Sequence, residues 1–390
     1  MPSWKFLNPR DREAAALRRE MEYKIDAWWL AFKAKAGDMD ALFRGRTEWD
    51  LAEWMHDHLG AVDKRIMWEF GPCDGGHRLV LTPEVHRNLR PMVETMLERA
   101  PRLPGWSFAA YRSPESMDAA REMVLAKTNK PLPDTVTVRA SVGELNRVDL
   151  VFESKGFPRS DRELAAHQAF TVAESLLGEE VLDKWIHTIN VSRARPDKHS
   201  LPPERLKRTV DALVLSIRDQ LPGETFAARK ANAEWAVLEL EPDELDEYPW
   251  REDIITFTTM NVPLFAATVN DVSFYSERFS RCGERFAFLK IDGRGPDATE
   301  MKFADRAAIE AAADAAVLGI GCVVGGGTGR HYSYIDLALT DVDRAIAALK
   351  PALRNGAIPK RAWLLFHDCE WRDEWVGMYD DTPPPPAPVE

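Results

Sequence analysis

The sequence predicts an α+β protein: two ferredoxin-like (β-α-β-β-α-β) domains of antiparallel sheet and helices, preceded by a helical segment. Three observations predict it. The hydrophobic period runs strand, helix, strand, strand, helix, strand from Trp106 to Ser192, and the same order returns with better definition from Arg285 to Asp368. The chain's 390 residues exceed the ~100–200 that one domain commonly uses. Its 13 tryptophans and 17 phenylalanines need cores to enter.

Residues 1–62 read as a helical segment. "REAAALRREMEYKIDAWWLAFKAKAG" carries apolar residues at mixed three and four spacings, and "TEWDLAEWMHDHLG" closes on Gly60. Trp28, Trp29, Phe32, Trp49 and Trp54 are packing residues in this reading. Residues 63–225 form the first domain. "RIMWEFGP" and "HRLVLTP" flank the turn "CDGG" and predict a hairpin, and "EVHRNLRPMVETMLERA" predicts a helix that stops before Pro101. The strand "WSFAAYR", helix "PESMDAAREMVLAK", strands "DTVTVRAS" and "RVDLVFES", helix "DRELAAHQAFTVAESLLG" and strand "DKWIHTINVS" follow.

The acidic, proline-bearing stretch Glu239–Asp253 predicts a surface connection between domains. "DIITFTTM" and "FAATVNDVSFY" supply β-rich material to the second domain, residues 226–378. Its repeat then runs "RFAFLKI", "FADRAAIEAAADAAVLG", "GCVVGGG", "HYSYIDLAL", "DVDRAIAALKPALRNG" and "RAWLLFHD". Residues 379–390, "YDDTPPPPAPVE", predict a disordered tail, because consecutive prolines lack amide donors and fix φ.

With 63 acidic against 51 basic side chains, the net charge of −12 repels a phosphate backbone, so no nucleic acid is predicted as a partner. No stretch of about 18 apolar residues predicts a membrane span, and no apolar run follows the basic residues near the N-terminus as in a signal peptide. The four cysteines are scattered without a CxxC pair, which suits a reducing cytoplasm. No metal is predicted either. His56 and His58 stand two apart on one helix and diverge, so with Cys73 and His77 they make no tetrahedral set.

A triple glycine, Gly325, Gly326 and Gly327, precedes Thr328-Gly329-Arg330-His331. A phosphate-binding glycine loop leads from a strand into a helix, whose first amides and dipole face the anion. Here the glycines end one strand and lead into another, and no GxxxxGK[ST] is present. They therefore read as a hairpin connection in which glycine supplies positive φ. With Arg330 they remain candidates for a ligand contact unlike that of nucleotide loops, and no cofactor is predicted.

"FHDCEW", Phe366 to Trp371, places an imidazole, two carboxylates and a thiol together at the end of the last strand. Alternation sends His367 and Cys369 to one face and Asp368 and Glu370 to the other, so a catalytic set would need partners from the facing hairpin. His331, Asp336, His367 and Glu370 are the candidates. Glu69 and the pair Glu179 and Glu180 read as solvated or capping carboxylates at element ends.

Trp68, Glu69, Ala100, Pro101, Trp106, Leu177, Gly178 and Glu179, within "WEFGP", "LVLTP", "ERAPRLPGWSFAAYR" and "ESLLGEEVLDKWIHTINV", resemble a family of bacterial proteins with no assigned activity. The resemblance spans Trp68 to Val191 and implies structure without chemistry. Two functions follow from the sequence. The first is a non-catalytic protein-interaction or ligand-sensing module, its partner a protein or a small ligand. The second is a hydrolase or transferase that uses the polar cluster around His331 and His367.

Overall fold

The structure, a computed structural model, describes residues 12–270 and 273–387. Eleven α-helices and three sheets are described, and the chain divides into two compact units. One unit is discontinuous and holds residues 1–110, 224–276 and 282–390; the other holds 111–223 and 277–281. The first eleven residues of the predicted helical segment, and residues 388–390 of the predicted tail, lie outside the described residues. No described helix is long and apolar enough to cross a membrane.

In the discontinuous unit the chain opens with α1 (Arg12–Phe43) and α2 (Leu51–Leu59), the latter capped by Asp50, which accepts from the Glu53 amide. Strands β1 (Met67–Cys73) and β2 (Gly76–Thr82) form an antiparallel hairpin, and α3 (Arg90–Glu98) carries the chain over to β3 (Trp106–Ala109), parallel to β2. Aromatic rings join these helices to the sheet. Phe32 meets Trp106 edge-on at 4.9 Å, Trp29 meets Phe108 at 4.7 Å, and the Trp29 indole N–H donates to the Met96 carbonyl at 2.7 Å.

The second unit contains α4 (Met117–Thr128), β4 (Thr137–Val142), β5 (Val148–Glu153), α5 (Arg162–Leu177), α6 (Glu179–Trp185), β6 (Ile186–Ser192) and α7 (Leu206–Gln220). Its sheet has the order β4-β5-β6, antiparallel and then parallel. Alternate residues Val148, Leu150 and Phe152 of β5 are buried against Ala169 and Val172 of α5 and Val210 of α7. The order β-α-β-β-α-β predicted for residues 106–192 is present, but its first strand, β3, belongs to the other sheet. Element order does not say which sheet a strand joins. Here the bulky rings of Trp106 and Phe108 decide it, because their partners are Phe32 and Trp29. Two ferredoxin-like domains are therefore not confirmed by the topology.

The remaining elements return to the discontinuous unit: α8 (Phe226–Arg229), β7 (Ala236–Glu239), β8 (Ile254–Thr259), α9 (Val262–Asn270), β9 (Arg285–Asp292), α10 (Arg306–Ala316), β10 (Gly321–Gly329), β11 (Tyr332–Leu339), α11 (Val342–Asn355), β12 (Ala362–Phe366) and β13 (Trp375–Gly377). The strands make one antiparallel sheet in the order β13-β12-β9-β11-β10-β8-β7. Asp305 and Asp341 cap α10 and α11, which bury Ile309, Ala313, Ala345 and Leu349 on one face of the sheet. Of the two stretches predicted as β-rich, "DIITFTTM" forms β8, whereas residues 265–270 of the second lie in the helix α9. Its start signal is the Asn261 side chain, which accepts from the Leu264 amide, with Pro263 in the first turn; these outweigh the β propensity of its valines and phenylalanine. Within the same unit, Asn88 donates to Asp373 at 2.6 Å and ties the first sheet's flank to the C-terminal segment.

The opposite face of the large sheet carries Phe257, Phe288, Tyr332, Tyr334, Trp363 and Leu365 and is covered by residues 240–250. This is the acidic stretch predicted to connect domains. Instead it lies wholly inside one unit and straps across the sheet. Lys290 of β9, fully buried, donates to the carbonyls of Tyr248 and Pro249, while Tyr332 and Arg361 hold Glu247 at 2.5 and 2.8 Å. Five acidic side chains without a hydrophobic period signal solvation in a sequence, but the carbonyls of Tyr248 and Pro249 that follow them meet a buried ammonium here.

Burial lowers the Lys290 pKa to about 8, whereas an unfolded lysine titrates near 10.4. Between those values the unfolded chain binds more protons, so the lysine's contribution to stability rises with pH through that window. Chemical denaturation from pH 7 to 10.5 should show an upward slope in the unmodified protein relative to Lys290→Met. Parallel profiles would mean that Lys290 titrates normally.

The predicted tail is partly fixed. The Trp363 indole donates to the Pro383 carbonyl at 2.6 Å and Thr382 is buried, while residues beyond 382 that are described form no regular element.

Candidate functional site

Alternation along β11 points Ile335, Leu337 and Leu339 toward α10 and α11, and Tyr332, Tyr334 and Asp336 toward the strapped face. Asp336 is thus a carboxylate buried in a sheet interior, and such a charge needs a partner. The partner is Arg251, at the end of the strap. Its Nη1 donates to Asp336 Oδ2 at 3.3 Å and to Thr268 Oγ1 of α9 at 3.2 Å. Its Nη2 stands 3.3 Å from Asp336 Oδ1 without the alignment of a hydrogen bond. The guanidinium carbon lies 4.8, 5.5, 5.2 and 5.6 Å from the ring centres of Phe257, Phe265, Phe288 and Tyr334. Four rings therefore surround one cation.

His367 follows β12 and closes the cluster. Its Nε2 is 3.7 Å from Asp336 Oδ1, too long for a direct hydrogen bond, and its ring stacks on Phe288 at 4.8 Å. Burial alone would raise the Asp336 pKa, but Arg251 and then His367 outweigh it and hold the carboxyl below its usual range. Burial keeps His367 below the usual imidazole value despite the opposing pull of Asp336. At neutral pH the site is a carboxylate, a guanidinium and a neutral imidazole.

Beside these groups is a cavity of 470 Å³ in which Arg251, His367, Phe288 and Thr268 are lining residues, together with Trp250 and Arg372. Arg251 Nε and Nη2, Asp336 Oδ1 and His367 Nε2 are buried atoms with no hydrogen-bond partner among the described residues. Unsatisfied groups of this kind are rare in folded proteins. The exposed carboxylates of Glu241 and Asp243 also line the cavity, and Arg372 lies over the Trp250 ring at 4.2 Å.

Of the predicted catalytic candidates, the structure brings Asp336 and His367 together. It does not bring His331. That residue sits in the turn before β11, five positions from Asp336 and so roughly 16 Å along the strand, with its ring edge-on to Tyr248 at 4.9 Å. Glu370 is buried in the single turn 369–371 and does not line the cavity. Cys369 does, but burial pushes its thiol up to about 12, far from a resting thiolate.

The glycines differ from their prediction. Gly325, Gly326 and Gly327 lie inside β10, paired with β8 on one side and β11 on the other, and none has positive φ. Their backbone groups are committed to the ladders. The lack of a side chain matters for packing: a Cβ on Gly325 or Gly327 would stand 2.8 or 2.5 Å from the Phe257 ring, which lies across them. Arg330 is in the turn, 3.6 Å from Glu244 of the strap.

His58 stacks on Trp54 at 4.3 Å, and His77 meets Asp40 at 2.9 Å. Among the described residues, no three His, Cys, Asp or Glu side chains come together to hold a metal ion. Glu179 is buried and accepts from the Arg112 amide at 3.1 Å. Sequence reading misses Arg251, Thr268 and the four rings, because each belongs to a different element and none stands in a recognisable spacing. Compared with protein-family models, with curated proteins and with solved structures, the chain matches none.

Proposed function

We propose that the chain is a non-catalytic, ligand-sensing module that takes a small molecule into the cavity beneath the strap. One observation carries the reading: a cavity of 470 Å³, within the size range of small-molecule sites, is lined by the apolar side chains of Ile254, Val269 and Phe288 together with Arg251, His367 and Arg372. The order β12-β9-β11-β10, with α10 and α11 on one face, supports reading this half as a ferredoxin-like layer extended by β13, β8 and β7. Its other face is then the one that receives the ligand. All four cysteines are free, which supports a cytoplasmic setting.

Filling the cavity tests the reading. Val269 of α9 lines it and is 39% exposed, so Val269→Trp can reach into the space with little strain on the core. Ligand-observed NMR against a fragment library should give hits that the unmodified protein binds and Val269→Trp loses, with melting temperatures within a few degrees. Hits unaffected by the tryptophan would place binding elsewhere and remove the proposal's basis.

A second reading has its own observation. An imidazole held neutral beside a buried carboxylate, 3.7 Å away and facing a cavity, is the arrangement of a general base and the group that orients it. Turnover of an ester or phosphoester that disappears in His367→Asn while binding persists would put a hydrolase in place of the sensor.

A further inference from the structure

Apart from the cavity, we infer that the outer edge of β7 takes an extended segment of a protein partner as a further strand, one that carries lysine or arginine beside alternating β-branched residues. β7 ends the order of the large sheet, so one side of its backbone has no neighbouring strand. Which groups stand there follows from the register. The Leu240 amide donates to the Ile255 carbonyl, so alternation turns Leu240, Leu238 and Ala236 inward to β8 and directs the amides and carbonyls of Val237 and Glu239 outward. Neither proline nor lysine stands in β7, and no bulge interrupts its pairing with β8, so its short length and its carboxylates are what guard the edge. Val237 is 71% exposed, and Trp235, two positions earlier, is 41% exposed. A strand laid along this edge therefore gains apolar contact as well as main-chain hydrogen bonds.

Charge decides which strand. Glu234, Glu239, Glu241 and Asp243 are exposed, and no lysine or arginine stands between residues 231 and 250. Arg229 and Lys230, the nearest basic residues in sequence, are engaged with the Phe226 ring and with Asp314. A second copy of β7 would bring the same carboxylates against these, and like charges across a strand pair are destabilising, so self-pairing is opposed. The same row attracts a strand with cationic side chains. Repulsion of the wrong partner and attraction of the right one thus come from one set of residues.

Three labelled heptapeptides separate the possibilities, each titrated against the full chain by fluorescence anisotropy at neutral pH and low salt. The first alternates valine and threonine between lysine ends, the second has the same core between glutamate ends, and the third is the first with its central residue changed to proline. The first should bind about tenfold tighter than either of the others, because the second reverses the charge and the third keeps the charge but loses a central amide. Val237→Pro removes an outward donor without touching a bond to β8, so it should weaken the first peptide about tenfold while the melting temperature stays within a few degrees. If that variant fails to fold, Glu239→Lys, a change at an exposed side chain, should narrow the preference for lysine over glutamate ends to about threefold or less. The proline peptide binding as tightly as the first would show charge attraction without strand pairing and overturn the inference. Binding abolished by Val269→Trp would do the same, by placing the peptide in the cavity. Glutamate ends held as tightly as lysine ends would defeat the basic partner. No binding of the first peptide would also defeat it, and self-association of the chain that Val237→Pro abolishes would make a second copy the occupant instead.

Discussion

Arg251→Met destabilises the discontinuous unit by roughly 3–5 kcal/mol, the cost of leaving one member of a buried ion pair without the other. Asp336 is 4% exposed and has Arg251 as its cationic partner; the nearby imidazole is held neutral and 3.7 Å away. Without the guanidinium the carboxylate must take up a proton or draw in water. The test is a urea titration of three proteins: unmodified, Arg251→Met, and Arg251→Met with Asp336→Leu. The double variant should recover most of the loss, because two apolar groups of similar volume replace a desolvated pair at small net cost. A double variant as unstable as the single one would show that the loss came from the four-ring packing around Arg251 and not from the stranded charge.

Gly327→Ala should cost about 2–3 kcal/mol, near the upper end for overpacking a core. The added carbon would meet Phe257 Cδ2 at 2.5 Å and the Thr256 carbonyl oxygen at 3.1 Å, a ring and a backbone atom that have nowhere to go. Phe257 stacks on Phe265 at 4.2 Å and its ring centre lies 4.8 Å from the Arg251 guanidinium carbon, so displacing it disturbs two contacts. Gly326→Ala is the internal control. Its Cβ would stand 2.0 Å from Glu310 Oε1, the end of a flexible side chain that can swing away, and 3.2 Å from the Tyr334 carbonyl. Its loss should be about half as large or less. Phe257→Leu should relieve part of the Gly327→Ala penalty when the two are combined. Equal losses at 326 and 327, unrelieved by leucine, would mean that backbone freedom and not the ring sets the cost.

These two cases show where sequence reading succeeded and where it stopped. The elements of the second half were legible, because the period of "HYSYIDLAL" is two and that of "DVDRAIAALKPALRNG" is close to four. The sequence offered Asp336 as a partner for His367 from the facing hairpin, and their meeting follows from β9 alone separating β11 from β12. What could not be read is set by distance along the chain. Arg251 is 85 residues from Asp336, and nothing in "PWREDI" distinguishes a caged cation from a solvated one. The glycines were singled out for the wrong property: a sequence shows the missing side chain but not the ring that occupies its space. β3 was assigned to the wrong sheet because strand order does not reveal which rings a strand will face.

The interruption of one unit by the other affects how the molecule is made. The cluster around Trp28, Trp29 and Phe32 is built wholly from residues before 111, but the segments that complete its unit begin only at residue 224. At the ~5–20 residues per second of translation, the interval is on the order of tens of seconds. The inserted unit, contiguous except for residues 277–281, can collapse early in that time. Arg251 waits as well, since its strap is synthesised before β11 supplies Asp336. The nascent chain therefore passes through a stage in which the aromatic cluster of residues 21–110 and the inserted unit can close while the large sheet is still unfinished, its apolar strands the surface a holdase would find to bind.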